Sequence, residues 1–265
     1  MLSDVLLLPP DEPSPVVLHV PHSSRQIPPD IRVDLLLSDA DLADELDEAT
    51  DTATDQIALA ALALVRHRPV TVINRLSRLV VDPERFSGGS EPAEQFGRGA
   101  VYTRTCSGAP LRREPYPRRS ELLDRYFRPY AQAVTEAVAD RLTVCGRAVV
   151  VDLHSYPLIA SGFEDRLAPR PPLCIGTDEL HTPPWLIAAV RHAFTGIGQV
   201  FENSPYSGCY VPLRYYGHDR RVSAVMIELR RDTYLIDPQT STPDRIEALG
   251  NRLAALIDAV AEHGD

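Results

Sequence analysis

Short runs of β-branched and aliphatic residues, separated by stretches of helical composition, limit the folds open to this chain. The clearest run, residues 147–153, predicts a buried strand that ends at His154. Similar runs at 16–20, 70–74, 173–176 and 223–229 predict further strands, and residues 79–81 are a weaker candidate for the same sheet. This alternation indicates an α/β sandwich with a mainly parallel central sheet.

The stretches between the runs have the composition of helices at 38–66, 119–143, 184–194 and 242–262. In the first, apolar residues recur every three or four positions and form one stripe: Leu42, Leu46, Ala49, Ala53, Ile57 and Ala60. Residues 83–118 are rich in Gly, Pro, Arg and Ser, which predicts a long loop region.

Composition supports one globular domain over residues 1–265. Hydrophobic residues make up 44% of the chain, and the formal net charge of −10 disfavours nucleic acid as a partner. The start of the sequence lacks the basic region of a secretory signal, and no apolar stretch is long enough to span a membrane. The four cysteines form no CxxC pair, so we expect reduced thiols in a cytoplasmic protein.

Two histidines follow predicted strands and are candidate metal ligands. His22 lies just beyond the 16–20 run and His154 ends the 147–153 run, and each precedes a serine. Imidazole nitrogen is a preferred zinc ligand, and catalytic zinc usually takes three protein ligands. The alternative is two unrelated histidines, each with a backbone hydrogen-bond partner.

The third ligand would be an acid of the 38–66 stretch. On a continuous helix Asp44, Asp51 and Asp55 lie opposite the apolar stripe, which favours a solvated face. A helix break at Thr50-Asp51 would instead direct Asp51 towards the strand ends. Periodicity leaves both alternatives open.

Charged residues beside other strands complete the candidate site. Arg78 and Arg85 could bind a substrate carboxylate or form surface salt bridges with Asp82, and Arg214 is a further candidate. Glu228 ends an apolar strand and is either a general base or an internal partner of Arg230 or Arg231. Asp152 next to His154 hints at a Ser-His-Asp triad, but there is no Gly-x-Ser-x-Gly, Walker A or dinucleotide-binding motif.

Taken in order, these motifs resemble the N-formylglutamate amidohydrolase family over about residues 16–235. The resemblance is carried by Pro-His-Ser-Ser at 21–24, Thr50-Asp51, residues 77–82 with Arg85, Asp152-Leu153-His154-Ser155, residues 203–210, Arg214 with Tyr216-Gly217, and Ile227-Glu228-Leu229-Arg230. It implies a three-layer α/β/α fold related to zinc carboxypeptidases. It also implies metal-dependent hydrolysis of N-formyl-L-glutamate or a similar small anionic N-acyl amino acid.

The same resemblance assigns roles residue by residue. His22, Asp51 and His154 would hold one divalent metal ion, expected to be zinc. Glu228 and Arg78 would be catalytic, and Arg85, Arg214 and Asn203 would bind substrate. Glu84 stands where the family commonly has asparagine, and a carboxylate there would repel an anionic substrate. Two alternatives remain, a metallopeptidase for a larger peptide and a binding protein without catalysis.

Overall fold

A computed structural model describes residues 4–88, 91–162 and 164–264. Its centre is a seven-stranded sheet in the order β1-β3-β2-β4-β7-β5-β6, in which β1 and β5 run antiparallel to β3 and β7 and the other pairs are parallel. A mainly parallel sheet flanked by helices confirms the predicted fold class. The strands are β1 (Val5–Leu8), β2 (Val16–Val20), β3 (Val70–Asn74), β4 (Ala148–Tyr156), β5 (Leu173–Gly176), β6 (Val200–Glu202) and β7 (Val222–Arg230).

Helices cover both faces of this sheet, so the fold has three layers. They are α1 (Pro29–Arg32), α2 (Asp39–Ala49), α3 (Thr54–Leu62), α4 (Arg119–Leu122), α5 (Arg128–Cys145), α6 (Pro184–Ala193) and α7 (Pro243–Glu262). Helices α3, α6 and α7 share one apolar core with the sheet, and α5 packs against the opposite face. A π-helical turn at Leu123–Phe127 joins α4 to α5. A two-stranded hairpin, β8 (Leu235–Asp237) and β9 (Thr240–Ser241), precedes α7.

The five predicted strands are all present, whereas the candidate strand at 79–81 is wrong. These residues form a turn, and their apolar side chains are buried in two small clusters beside the sheet. The edge strands β1 and β6 were not predicted. The 83–118 region is largely irregular as predicted, with one 3₁₀ turn at Pro92–Phe96.

The predicted helix at 38–66 is divided in two. Helix α2 ends at Ala49, and α3 begins at Thr54 after Ala53, which has a φ of 63°. Alanine rarely adopts this left-handed conformation, because its Cβ lies too close to the backbone. The break confirms the second of the two alternatives for this stretch, and it removes Asp51 from the helical face.

Within the described ranges, no helix combines the length and the hydropathy required to cross a bilayer.

Candidate active site

Three buried side chains converge at the carboxyl ends of the central strands. His22 follows β2, His154 lies near the end of β4, and Asp51 lies in the break between α2 and α3. The Nδ1 atoms of the two histidines are 3.3 Å apart. Asp51 Oδ2 is 3.0 Å from His154 Nδ1 and 3.7 Å from His22 Nδ1. The Asp51 N–H also donates to the His22 carbonyl over 3.0 Å, so the backbone fixes these two residues relative to each other.

This spacing fits a tetrahedral metal ion. An ion with bonds of about 2.0–2.2 Å holds its ligand atoms roughly 3.3–3.6 Å apart. The three facing atoms of His22, Asp51 and His154 are 3.0–3.7 Å apart, which is close to that range. Two imidazole nitrogens and one carboxylate are a ligand set that catalytic zinc uses, with one position left open. Two imidazole nitrogens and a carboxylate oxygen this close together require a positive charge between them, which is either a proton or a metal ion.

A carboxylate holds the far nitrogen of each histidine. His22 Nε2 is 2.9 Å from Asp82 Oδ1, and His154 Nε2 is 2.9 Å from Asp152 Oδ1. Burial opposes ionisation of both acids, but Arg78 and His22 hold the pKa of Asp82 well below its usual range. A carboxylate that stays ionised accepts the Nε2 proton and leaves Nδ1 to face the centre of the cluster, as in carboxylate–histidine–metal arrangements.

Asp152 is itself fixed by two further contacts. It lies two residues before His154, on the same face of β4, and its Oδ1 is 2.8 Å from the Nδ1 of buried His19 on β2. The Tyr210 N–H donates to its Oδ2 over 3.2 Å. Burial opposes the charge of Asp152, but His154 and His19 lower its pKa below the usual value.

The acids around His154 also control its protonation in the metal-free protein. Burial disfavours the imidazolium, yet Asp152, Glu84 and Asp51 raise the pKa of His154 well above its usual value. Glu84 Oε1 lies 3.2 Å from His154 Nε2. A metal ion would therefore replace a proton, and metal binding should weaken as the pH falls.

Arg231 anchors the remaining oxygen of Asp51. Its Nη2 is 3.4 Å from Asp51 Oδ1, and its Nη1 donates to the carbonyls of Asp47 and Glu48 at the end of α2. One buried guanidinium thus satisfies the carbonyl end of this helix and orients the proposed ligand. It was considered from sequence only as a partner for Glu228.

Glu228 lies beside this cluster, and it has no ion-pair partner among the residues that the structure describes. It is in register with His154 across β4 and β7, and both line the same cavity. Arg230 bonds to Asp232 and Arg231 to Asp51, so the internal ion pair considered for Glu228 is absent among the described residues. Its Oε2 has no hydrogen-bond partner there, and burial raises the pKa of Glu228 to about 8.

The cavity above the cluster has a volume of about 740 Å³ and is lined by three predicted arginines. Arg78 and Arg85 both pair with Asp82, at 2.9 and 3.4 Å. The salt-bridge alternative is therefore realised, but Asp82 is buried and Arg78 still reaches the cavity. Arg214 forms no ion pair or hydrogen bond with any part of the chain that the structure describes, and its guanidinium lies 5.6 Å from the Tyr215 ring centre.

Asn203 is a predicted site residue that belongs neither to the histidine–aspartate cluster nor to the lining of the cavity. Its side-chain amide accepts from the Thr177 N–H and donates to the Thr177 hydroxyl. These bonds join the ends of β5 and β6 and engage both the oxygen and the amino group of the amide.

Sequence reasoning missed the residues that support the ligands. Asp82 and Glu84 contact the cluster, and His19 contacts Asp152 and Glu84, but none of the three was proposed as a site residue. For Asp152 a signal was present, because its spacing of two from His154 places both side chains on one face of a strand.

Comparisons with known proteins agree with the resemblance seen in the sequence. The sequence model of the N-formylglutamate amidohydrolase family matches residues 14–235. A crystal structure of N-formylglutamate amidohydrolase from Ralstonia eutropha JMP134 superposes with a TM-score of 0.80 and 22% identity, over 98% of each chain. A gene product from Agrobacterium tumefaciens gives a TM-score of 0.70 and 21% identity, over 97% of this chain and 94% of the other. No curated protein matches the sequence. At these identities the two structures show a common fold.

Proposed function

Because this chain belongs to the N-formylglutamate amidohydrolase family, we propose that it hydrolyses the amide of N-formyl-L-glutamate or a similar N-acyl amino acid with the help of one divalent metal ion. The observation that carries the metal proposal is the convergence of His22 Nδ1, His154 Nδ1 and Asp51 Oδ2 beside the buried carboxyl of Glu228. Zinc is the proposed ion, since its usual ligands are of these types. When bound, such an ion polarises the substrate carbonyl and lowers the pKa of a water molecule.

Glu228 is the proposed general base. A carboxyl with a pKa of about 8 holds a proton more readily than an exposed glutamate does. It can therefore take a proton from the attacking water and return it to the leaving amine near neutral pH. Its strand position beside His154 supports this role.

The arginines of the cavity are proposed to act on the substrate directly. Arg78 lies 3.9 Å from Asp51, so it is close enough to the ligand cluster to stabilise negative charge that develops on the amide oxygen. Arg214 also lines the cavity and is proposed to bind the substrate carboxylate. Arg85, which shares Asp82 with Arg78, is proposed to add positive charge that attracts and orients the anionic substrate.

Formate release from a panel of N-formyl amino acids, with the zinc-loaded protein, tests this proposal. Glu228→Gln should lower kcat by about 10²–10⁴-fold, which is the usual contribution of a general acid–base, and leave zinc binding intact. Glu202→Gln, an exposed change on β6, is the control. Wild-type turnover retained in Glu228→Gln would remove the base assignment. N-acetyl and dipeptide substrates, assayed for the amino acid that is released, test the peptidase alternative.

A further inference from the structure

Most of the arginines that line the cavity form ion pairs with carboxylates of the protein. Five arginines line it, and four of them lie within 3.4 Å of a protein carboxylate oxygen. These pairs are Arg78–Asp82, Arg85–Asp82, Arg98–Glu45 and Arg231–Asp51. Arg214 is the exception within the described ranges. The site therefore offers a substrate one guanidinium that has no carboxylate partner in the protein, and this group can bind one substrate carboxylate.

Acids of the same cavity disfavour a second substrate carboxylate. Seven carboxylic acids line it against the five arginines. Glu48 has no ion pair among the described residues, and the contacts of Glu84 are with histidines, including His154 Nε2 at 3.2 Å. A dicarboxylate would bring its second negative charge among these acids without a free cation to pair with it.

An exposed apolar wall stands next to Arg214. Leu213 is 61% exposed and Tyr216 is 41% exposed, and the rings of Tyr216 and Phe86 are 6.0 Å apart. Tyr216 stacks on buried His181, whose Nε2 accepts the Gly217 N–H, so this segment is anchored to the body of the protein. All three apolar side chains line the cavity. They form a surface that an apolar group could cover.

We infer that the substrate is the N-acyl derivative of an amino acid with a single carboxylate and an apolar side chain, aromatic or long aliphatic. Arg214 binds the α-carboxylate, and Phe86, Leu213 and Tyr216 contact the side chain. The cavity, at about 740 Å³, lies in the range of roughly 300–1,000 Å³ that holds drug-sized ligands, so it has room for such a group. This inference rests on the proposed amide hydrolysis and narrows its substrate.

The first experiment compares kcat/KM of the zinc-loaded protein for N-formyl-L-phenylalanine, N-formyl-L-leucine and N-formyl-L-glutamate. We expect kcat/KM for each apolar substrate to exceed that for the glutamate derivative by at least about 10-fold. The apolar side chains gain contacts with the apolar wall, whereas the glutamate side chain has no free cation to pair with. A preference for the glutamate would overturn the inference and leave amide hydrolysis standing.

The second experiment assigns the carboxylate contact with Arg214→Met and the matched control Arg220→Met, an exposed arginine outside the cavity. Arg214→Met should lower kcat/KM for N-formyl-L-phenylalanine by about 10- to 100-fold, mainly through KM, as loss of a charged hydrogen bond predicts. It should lower kcat/KM for the carboxamide analogue much less, since that substrate has no charge to pair with the guanidinium. The turnover of the analogue that remains also shows that the variant is folded. Equal effects on acid and carboxamide, or no effect on either, would contradict the assignment.

Binding separates failure of this inference from failure of the proposed function. If no formyl amide is cleaved, the proposed hydrolysis fails, and calorimetry with the same N-formyl amino acids still measures the preference of the cavity. Tighter binding of the phenylalanine derivative would support the inference. Equal or tighter binding of the glutamate derivative would overturn it.

Discussion

Replacing Asp152 by asparagine should weaken metal binding without removing a ligand. Asp152 Oδ1 holds both His154 Nε2 and His19 Nδ1, and its Oδ2 accepts from the Tyr210 N–H. Asparagine has one acceptor oxygen for these two directions. If the asparagine amino group faces the imidazoles, it donates to His154 Nε2 and forces the histidine proton onto Nδ1, the atom proposed to bind metal. If the amino group faces Tyr210, it meets the Tyr210 N–H, and two donors face each other.

The expected loss is about 10- to 100-fold in metal affinity, or about 1.4–2.8 kcal/mol, the usual effect of such a supporting carboxylate. The assay titrates metal-free protein with zinc against a chromophoric chelator. Asp44→Asn, on the exposed face of α2, controls for the loss of a charge. His19→Gln should cause a smaller loss, since the bond from Asp152 to His154 remains. Wild-type zinc affinity in Asp152→Asn, with a normal metal-free melting temperature, would refute the reasoning.

Three further predictions concern stability. Zinc at about 100 times its Kd should add about 2.7 kcal/mol to the free energy of unfolding. Removal of zinc by a chelator should therefore lower Tm, and added zinc should restore it. A Tm that changes with neither treatment would count against the site. Burial raises the pKa of Glu228 from 4.5 to about 8, so this residue binds a proton more tightly in the folded state than in the unfolded one. Its contribution to the stability of the metal-free protein is therefore fully present below pH 4.5 and is lost as the pH rises through about 8. Urea unfolding at pH 5 and at pH 8 should therefore show Glu228→Gln gaining relative to wild type at the higher pH, and a constant difference would contradict this. Arg231→Lys should cost about 1–3 kcal/mol in urea unfolding, because one ammonium group lacks the planar fork that reaches both the carbonyls of Asp47 and Glu48 and the carboxylate of Asp51. Arg221→Lys on the surface should cost little, and equal costs would show that Arg231 is not an anchor.

The sequence was most informative about the strand ends. Runs such as 147–153 are buried on both faces, and buried strands of a parallel sheet end at a common edge. That rule is enough to predict that His22, His154 and Glu228 lie close together. The short edge strands β1 and β6, with four and three residues, carry too little pattern to be recognised.

The break that places Asp51 could be stated from sequence only as an alternative. No glycine or proline marks it, and Ala53 adopts a positive φ that its side chain disfavours. Tertiary contacts favour the break over the local preference for a continuous helix. Among them are the bond from the Asp51 N–H to the His22 carbonyl and the bonds of Arg231 to the end of α2.

The residues that hold the proposed ligands in place could not be predicted from the sequence, because their contacts join positions that are far apart along the chain. Asp82 is 60 residues from His22, and Arg231 is 180 residues from Asp51. Periodicity describes neighbours within one element and gives no information about such pairs. Asn203 shows a different difficulty, because a residue within a matching motif bonds to Thr177 and links β5 to β6.

The most direct test of the proposed metal site measures metal content and turnover in the same preparations. The protein is purified without chelator, and wild type is compared with His22→Ala and His154→Ala for bound metal and for formate release across the N-formyl panel. We predict one divalent ion per wild-type chain and loss of both metal and activity in each variant. Formate release that persists after complete removal of metal, or in His154→Ala, would contradict the account.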